Sequence, residues 1–113
     1  MATAYLMVRA VLADAADRPR FDRWYGTEHL PDAAAAFGAR RAWRCWSRTD
    51  PAVHVAFYEF ADAARAEAAL ASAELRALVA EFDRVWGARV ARTRDVLEAA
   101  GEADLPRPGG GPG

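Results

Sequence analysis

The sequence predicts an α+β fold in the order β-α-β-β-α-β, a four-stranded antiparallel sheet with its helices on one face. Three observations predict it. Residues 4–12 (AYLMVRAVL) and 52–60 (AVHVAFYEF) are short apolar runs of strand length and composition. Segments with helical spacing of aromatic and aliphatic residues follow each of them. With 113 residues, of which 53% are hydrophobic, the chain suffices for one domain with a real core.

Taken in order, residues 4–12 read as a buried strand that ends at the polar ADAADRP. Asp17 is placed to cap a helix whose first turn tolerates Pro19. The helix continues through FDRWYGTEHL and is predicted to kink or stop at Pro31, which lacks a donor and disfavours helical geometry at Leu30. DAAAAFG resumes a turn or two, with Gly38 as the stop. Residues 39–48, rich in Trp, alternate imperfectly and read as a second strand; TDP is a turn, and 52–60 is the third strand. Asp62 opens a second helix. Ser72 caps a further helical segment in which Leu75, Leu78, Val79, Phe82, Val85 and Trp86 share a face, and Gly87 ends it. Residues 88–99 read as the last strand, with helix an alternative from Arg94 onward. The domain thus spans 1–99, and 100–113, GEADLPRPGGGPG preceded by one alanine, is expected to be a disordered tail.

Composition excludes several function classes. The net charge of −1 does not fit a general nucleic-acid binder. No apolar run nears the roughly 20 residues that span a bilayer, and the N-terminus has neither a basic start nor a small-residue cleavage site. A cytoplasmic protein without membrane or nucleic-acid partners is expected. The single cysteine, Cys45, allows no disulfide framework; two histidines without CxxC or HxxxH give no support for a metal site. All 15 basic residues are arginine, and lysine, isoleucine, asparagine and glutamine are absent while alanine occurs 29 times. That pattern points to a GC-rich coding bias, so arginine in place of lysine carries no functional weight.

The first strand is apolar on both faces, Leu6, Val8 and Leu12 against Tyr5, Met7 and Val11. Helices cover only one face of such a sheet. A second copy of the chain is the expected cover for the other, which predicts a homodimer.

The richest chemistry lies in FDRWYGTEHLPD, residues 21–32. On a regular helix Phe21, Tyr25 and Glu28 share one face, with His29 on one flank and Trp24 on the other. A dry core does not place a carboxylate among aromatic rings, because burying it unpaired costs several kcal/mol. This face therefore reads as the lining of a pocket. His29, at a helix end before Pro31, is the candidate general acid/base, or else a cap on the broken helix. Glu28 is a candidate to orient His29 or take a proton, or to pair with an arginine; Tyr25 is a candidate donor to a substrate oxygen, or an ordinary core aromatic. His54 and Tyr58 share a strand face, but parity does not say whether that face meets helices or a partner. Tyr58 is assigned to the pocket and His54 is left open. Trp43, Trp46 and Trp86 are apolar walls of core, interface or pocket. On the two edge strands, Arg44 and its neighbours and Arg89, Arg92 and Arg94 guard the edges or meet an anionic or enolate-bearing substrate.

The run Trp24-Tyr25-Gly26-Thr27-Glu28-His29-Leu30-Pro31, with Phe57-Tyr58-Glu59-Phe60 closing the third strand, resembles the EthD-like branch of the dimeric α/β-barrel superfamily. The resemblance implies a ferredoxin-like sheet paired with a second copy into a barrel, and a ligand pocket between each sheet and its helices. Members include cofactor-free oxygenases, polyketide cyclases, lactone isomerases, dehydratases and haem-handling proteins. It also implies that His29 faces the pocket. The resulting expectation is a cofactor-free enzyme for an aromatic, polyketide-like or lactone substrate. In it His29, Glu28 and Tyr25 are catalytic, and Trp24, Phe21, Tyr58, Trp86 and Arg44 contact the substrate. A cofactor-independent monooxygenase ranks lower, since related oxygenases use an asparagine that this chain lacks. A non-catalytic binding or accessory protein is the alternative outside enzymes.

Overall fold

The computed structural model describes residues 2–103. Four strands, β1 (Ala4–Leu12), β2 (Arg41–Trp46), β3 (Val53–Phe60) and β4 (Val90–Glu98), form one antiparallel sheet in the order β2-β3-β1-β4. The edges are β2 and β4, as expected. The helices are α1 (Arg18–Trp24), α2 (Leu30–Phe37), α3 (Ala63–Leu70) and α4 (Ala73–Val85). This is the ferredoxin-like α+β architecture predicted from the sequence. Most of the tail expected at 100–113 lies outside the described residues. No helix among the described residues is long and apolar enough to cross a membrane.

The alternation of β1 separates the two faces of the sheet. Ala4, Leu6, Val8, Ala10 and Leu12 are buried beneath the helices, and register places Ala56, Tyr58 and Phe60 of β3 beside them. The same register puts His54 opposite Ala10 and Trp46, on the helix side, which answers the question that parity left open. Val90, Arg92, Arg94 and Val96 of β4 face the same way. The opposite face carries Tyr5, Trp43, Phe57 and Leu97, with Trp43 stacked on Phe57 and Tyr5 edge-on to Trp43.

Local signals explain most boundaries. Asp62 caps α3 through Arg65 N at 2.9 Å, and Ser72 caps α4 through Leu75 N at 3.1 Å. Gly38 and Gly87 take positive φ, 66° and 56°, where helices α2 and α4 give way to the next segment. One expectation needs correction, and one alternative, helix from Arg94 onward, falls away. The side-chain cap before α1 comes from Asp14, which accepts from Ala16 N; Asp17 caps nothing and lies 3.9 Å from Arg89 instead. Residues 94–98 are strand, because the full length of β1 is there to pair with them.

The larger correction concerns the stop expected at Pro31. The helix neither stops nor breaks there. Tyr25–His29 form a π turn joining α1 directly to α2, and Leu30 N donates to Tyr25 O, five residues back. Pro31 is then the first-turn proline of α2, a position that requires no N–H from it. Thr27 turns its hydroxyl inward to Arg23 O at 2.7 Å. One extra residue in the turn thus absorbs the proline within a continuous helix.

Candidate functional site

The π turn re-aims the side chains read from the regular wheel. At 100° per residue His29 stands about 40° past Tyr25 and Glu28 about 60° before it. A wider turn has fewer degrees per residue, which carries His29 back into line with Tyr25 and swings Glu28 away. Accordingly Tyr25 and His29 are buried while Glu28 is exposed. Glu28 lies in a surface groove with Arg20, Arg23, Trp24 and Glu81, so the expectation that it lines the pocket is corrected. No ion pair to Glu28 is formed among the described residues.

The cavity between sheet and helices is lined by Leu6 and Val8 below, by Tyr25, His29 and Tyr58, by Leu75, Leu78, Val79 and Phe82 of α4, and by Arg92 and Arg94 of β4. Its cavity volume, the space that admits the centre of a water molecule, is only about 20 Å³. In this form it is a narrow crevice with room for roughly one ordered water. Leu75, Leu78 and Val79, which cover it, are only half-buried.

Within the crevice the Tyr25 and Tyr58 hydroxyls lie 3.0 Å apart. Two hydroxyls sharing one hydrogen bond use one proton between them and keep the other for a third group. Burial, opposed by the Tyr58 bond, pushes Tyr25 up to about 12. Burial and the neighbouring Tyr25 push Tyr58 up as well. Both are donors at neutral pH. His29 packs edge-on against Tyr25 at 4.9 Å between ring centres and stacks on Trp24 at 4.9 Å with planes 20° apart. Burial, then the charges of Arg92 and Arg94, push it down to about 4, with Glu81 opposing. Its ring is therefore neutral at pH 7. His29 caps no broken helix end, because no helix ends there.

The other expected contacts do not reach the cavity. Phe21 is fully buried in the core, in contact with Tyr25, His54, Phe82 and Trp86. Trp24 supports His29 from behind and borders the surface groove. Trp86 is buried with the Arg20 and Arg89 guanidiniums each 4.9 Å from its ring. Arg44 lies under α1, where it donates to Asp22 Oδ1 at 2.8 Å and comes within 3.5 Å of His54 Nε2. Of the five residues expected to contact substrate, Tyr58 alone lines the crevice. Arg92 and Arg94 do line it, although the edge position of their strand favoured a guarding role. Strand parity groups them with Val90 and Val96, but only pairing with β1 shows that this face meets the helices. Among the described residues, no group of three or more His, Cys, Asp or Glu is placed to share a metal ion.

No family model matches this chain, and no curated protein matches it. Solved structures do. The N63A variant of SnoaB, a cofactor-independent oxygenase from Streptomyces nogalater, is 17% identical over 95% of this chain and 100% of its own, with a TM-score of 0.63. HapK from Hahella chejuensis is 16% identical, covering 90% of this chain and 97% of its own, with a TM-score of 0.65. An ethyl tert-butyl ether D (EthD) family protein from Bacillus halodurans is 17% identical, covering 84% and 98%, with a TM-score of 0.62. Likeness at such identity is a likeness of fold. At that level the resemblance to EthD-like proteins holds.

Proposed function

We propose that the protein is a cofactor-free enzyme that binds a small aromatic, polyketide-like or lactone substrate between helices and sheet and moves a proton on it. The observation that supports this best is a neutral His29 beside a phenol pair with a proton to spare, all three in one crevice. His29 accepts the proton from a carbon next to a carbonyl. The free hydroxyl proton of the Tyr25–Tyr58 pair is donated to the carbonyl oxygen as negative charge grows there. Return of the proton from His29 to another carbon completes an isomerisation. Attack of the carbanion on a second carbonyl of the same molecule, with the proton passing from His29 to the new alkoxide, completes a cyclisation. Departure of a leaving group, which takes the proton from His29, completes an elimination. The catalytic roles expected for His29 and Tyr25 stand in this proposal, and Glu28 has none. Entry of a substrate requires Leu75, Leu78 and Val79 to swing aside, since ligand pockets ordinarily offer about 300 Å³ or more.

The experiment is native mass spectrometry of gently purified protein, followed by assay of any released compound with wild type and His29→Ala. Turnover lost with the fold intact supports the proposal. Turnover undiminished in the variant ends it, and unchanged affinity without any product favours a binding protein.

A second reading, cofactor-independent monooxygenation, is favoured by the structural likeness to SnoaB. It starts from the same proton abstraction, after which the carbanion reduces oxygen. Oxygen uptake stoichiometric with substrate separates the two.

The sheet face away from the helices is proposed to pack on a second copy. Tyr5, Trp43 and Phe57 give it an apolar, largely ring-covered surface, and Leu97 is exposed beside them. Light scattering on Phe57→Arg should find monomer where wild type is dimer; a wild-type monomer removes this part of the proposal.

A further inference from the structure

From the charge balance of the crevice we infer that its substrate is an anion, a carboxylate or a readily ionised enol or phenol, seated on Arg94 and Arg92. The inference rests on the proposed ligand site and names the chemical class that the site takes. No aspartate or glutamate lines the crevice, whereas two guanidiniums do. Arg92 is held in place: its side chain is 11% exposed, its guanidinium lies 3.7 Å from the centre of the Phe82 ring, and it donates to Asp83 Oδ1 at 2.7 Å. One donor fork is thus partly satisfied from outside the crevice. Arg94 forms no ion pair with any described residue. It is one strand step from Arg92 on the same face, opposite Val8 in the crevice floor. A planar pair of oxygens matches the fork of a guanidinium, and a largely apolar crevice strengthens the bond.

The same arrangement links binding to chemistry. His29 faces Arg92, Arg94, Glu81 and Tyr25; burial does most to make it a poor proton acceptor, and the two arginines lower its basicity further. An anion on the arginines offsets their charge and returns to the imidazole the part of its basicity that they take away. The base gains strength when substrate is present.

The test compares 2-naphthoate with 2-naphthamide, nearly identical in shape and different in charge, by titration calorimetry and by the imidazole resonances of His29. Wild type should bind the carboxylate about tenfold or more tightly, the discrimination expected from one charge-assisted hydrogen bond. In Arg94→Gln the preference should fall to within about twofold, whereas in Arg76→Gln, which removes a charge of α4 outside the crevice, it should persist. Arg94 is exposed, so its variant keeps the fold; Arg92→Gln, which also loses the Phe82 contact, serves as a second variant. Equal binding of both probes with His29 resonances perturbed overturns the anion inference and leaves the ligand site standing. A carboxylate preference that survives both variants overturns it too. Binding by neither probe, with His29 undisturbed, overturns the inference together with the site it rests on.

Discussion

The two histidines lie on either side of Tyr25, and their surroundings differ in what they leave unfinished. His54 is fully buried, its ring 4.5 Å from Tyr25, 5.1 Å from Phe21 and 4.9 Å from Trp46. The arginine beside it is already neutralised, since Asp22 accepts from both Arg44 and Trp46 Nε1, at 2.8 and 2.7 Å. Those two hydrogen bonds also hold Asp22 below its ordinary range. His29 sits at the opposite side, on a crevice, near two arginines of which one has no acidic partner among the described residues. Burial pushes both histidines down to about 4. A depressed histidine is therefore no mark of function by itself; the difference lies in whether the neighbouring charge is already balanced.

The largest expected effect separates the two sites directly. On the substrate recovered with the protein, His29→Ala should lower turnover per folded molecule by about 10²- to 10⁴-fold, at a smaller cost in stability than His54→Ala. His54→Ala should act the other way, lowering stability with turnover per folded molecule retained. Kinetics and thermal melts on the two variants check this, and a reversed pattern would exchange the roles assigned to the two rings.

Phe21 joins the two regions, touching His54 and Trp46 on one side and Tyr25, Phe82 and Trp86 on the other. Truncation to alanine removes a fully buried ring from the centre of the core and should cost about 3–5 kcal/mol in urea unfolding. A loss below 1 kcal/mol would mean that the two sites are not held by a common core.

Acid should weaken both regions. Each histidine has a folded-state value near 4, below the 6.5 of the unfolded chain. Between these values the unfolded chain binds more protons, so stability rises with pH across the window and is lost as pH falls through it. Full stability holds above about pH 6.5, and the loss ends near pH 4, with up to about 3 kcal/mol from each histidine. Urea midpoints from pH 8 to 4 should trace this fall, and replacing either histidine by phenylalanine should remove part of it. A flat profile in the wild type would show that neither ring is held neutral by burial.

Sequence legibility followed the same division. Short apolar runs of strand length, rich in β-branched and aromatic residues, showed β1 and β3 plainly. Caps at Asp62 and Ser72 were equally readable, being local chemistry. The π turn was not. Pro31 forbids the regular helix, but nothing local decides between stopping it and widening it by one residue; packing of Tyr25 and His29 into the core decides. Glu28 was misplaced for that reason alone. His54, Arg92 and Arg94 needed strand register, which is a property of the folded sheet rather than of any one strand.

The smallest expected effect bears on the closed side of the comparison. A Cβ on Gly26, in the π turn, would lie 2.7 Å from Arg44 Nη2, so Gly26 is where the guanidinium approaches the helix. Gly26→Ala gains up to about 1 kcal/mol of helix propensity. It also pushes a flexible group away from Asp22, and a pair with Asp22 half-exposed is worth roughly 0.2–1 kcal/mol. The two terms oppose each other and are of similar size. Stability should stay within about 0.5 kcal/mol of wild type, with Trp46 still donating to Asp22. Turnover should be unchanged, because Arg44 does not border the crevice. Urea unfolding and kinetics on this one variant settle the point: a stable protein with depressed turnover would show that the Arg44–His54 side acts on the crevice through Tyr25, and the two regions would then be one site.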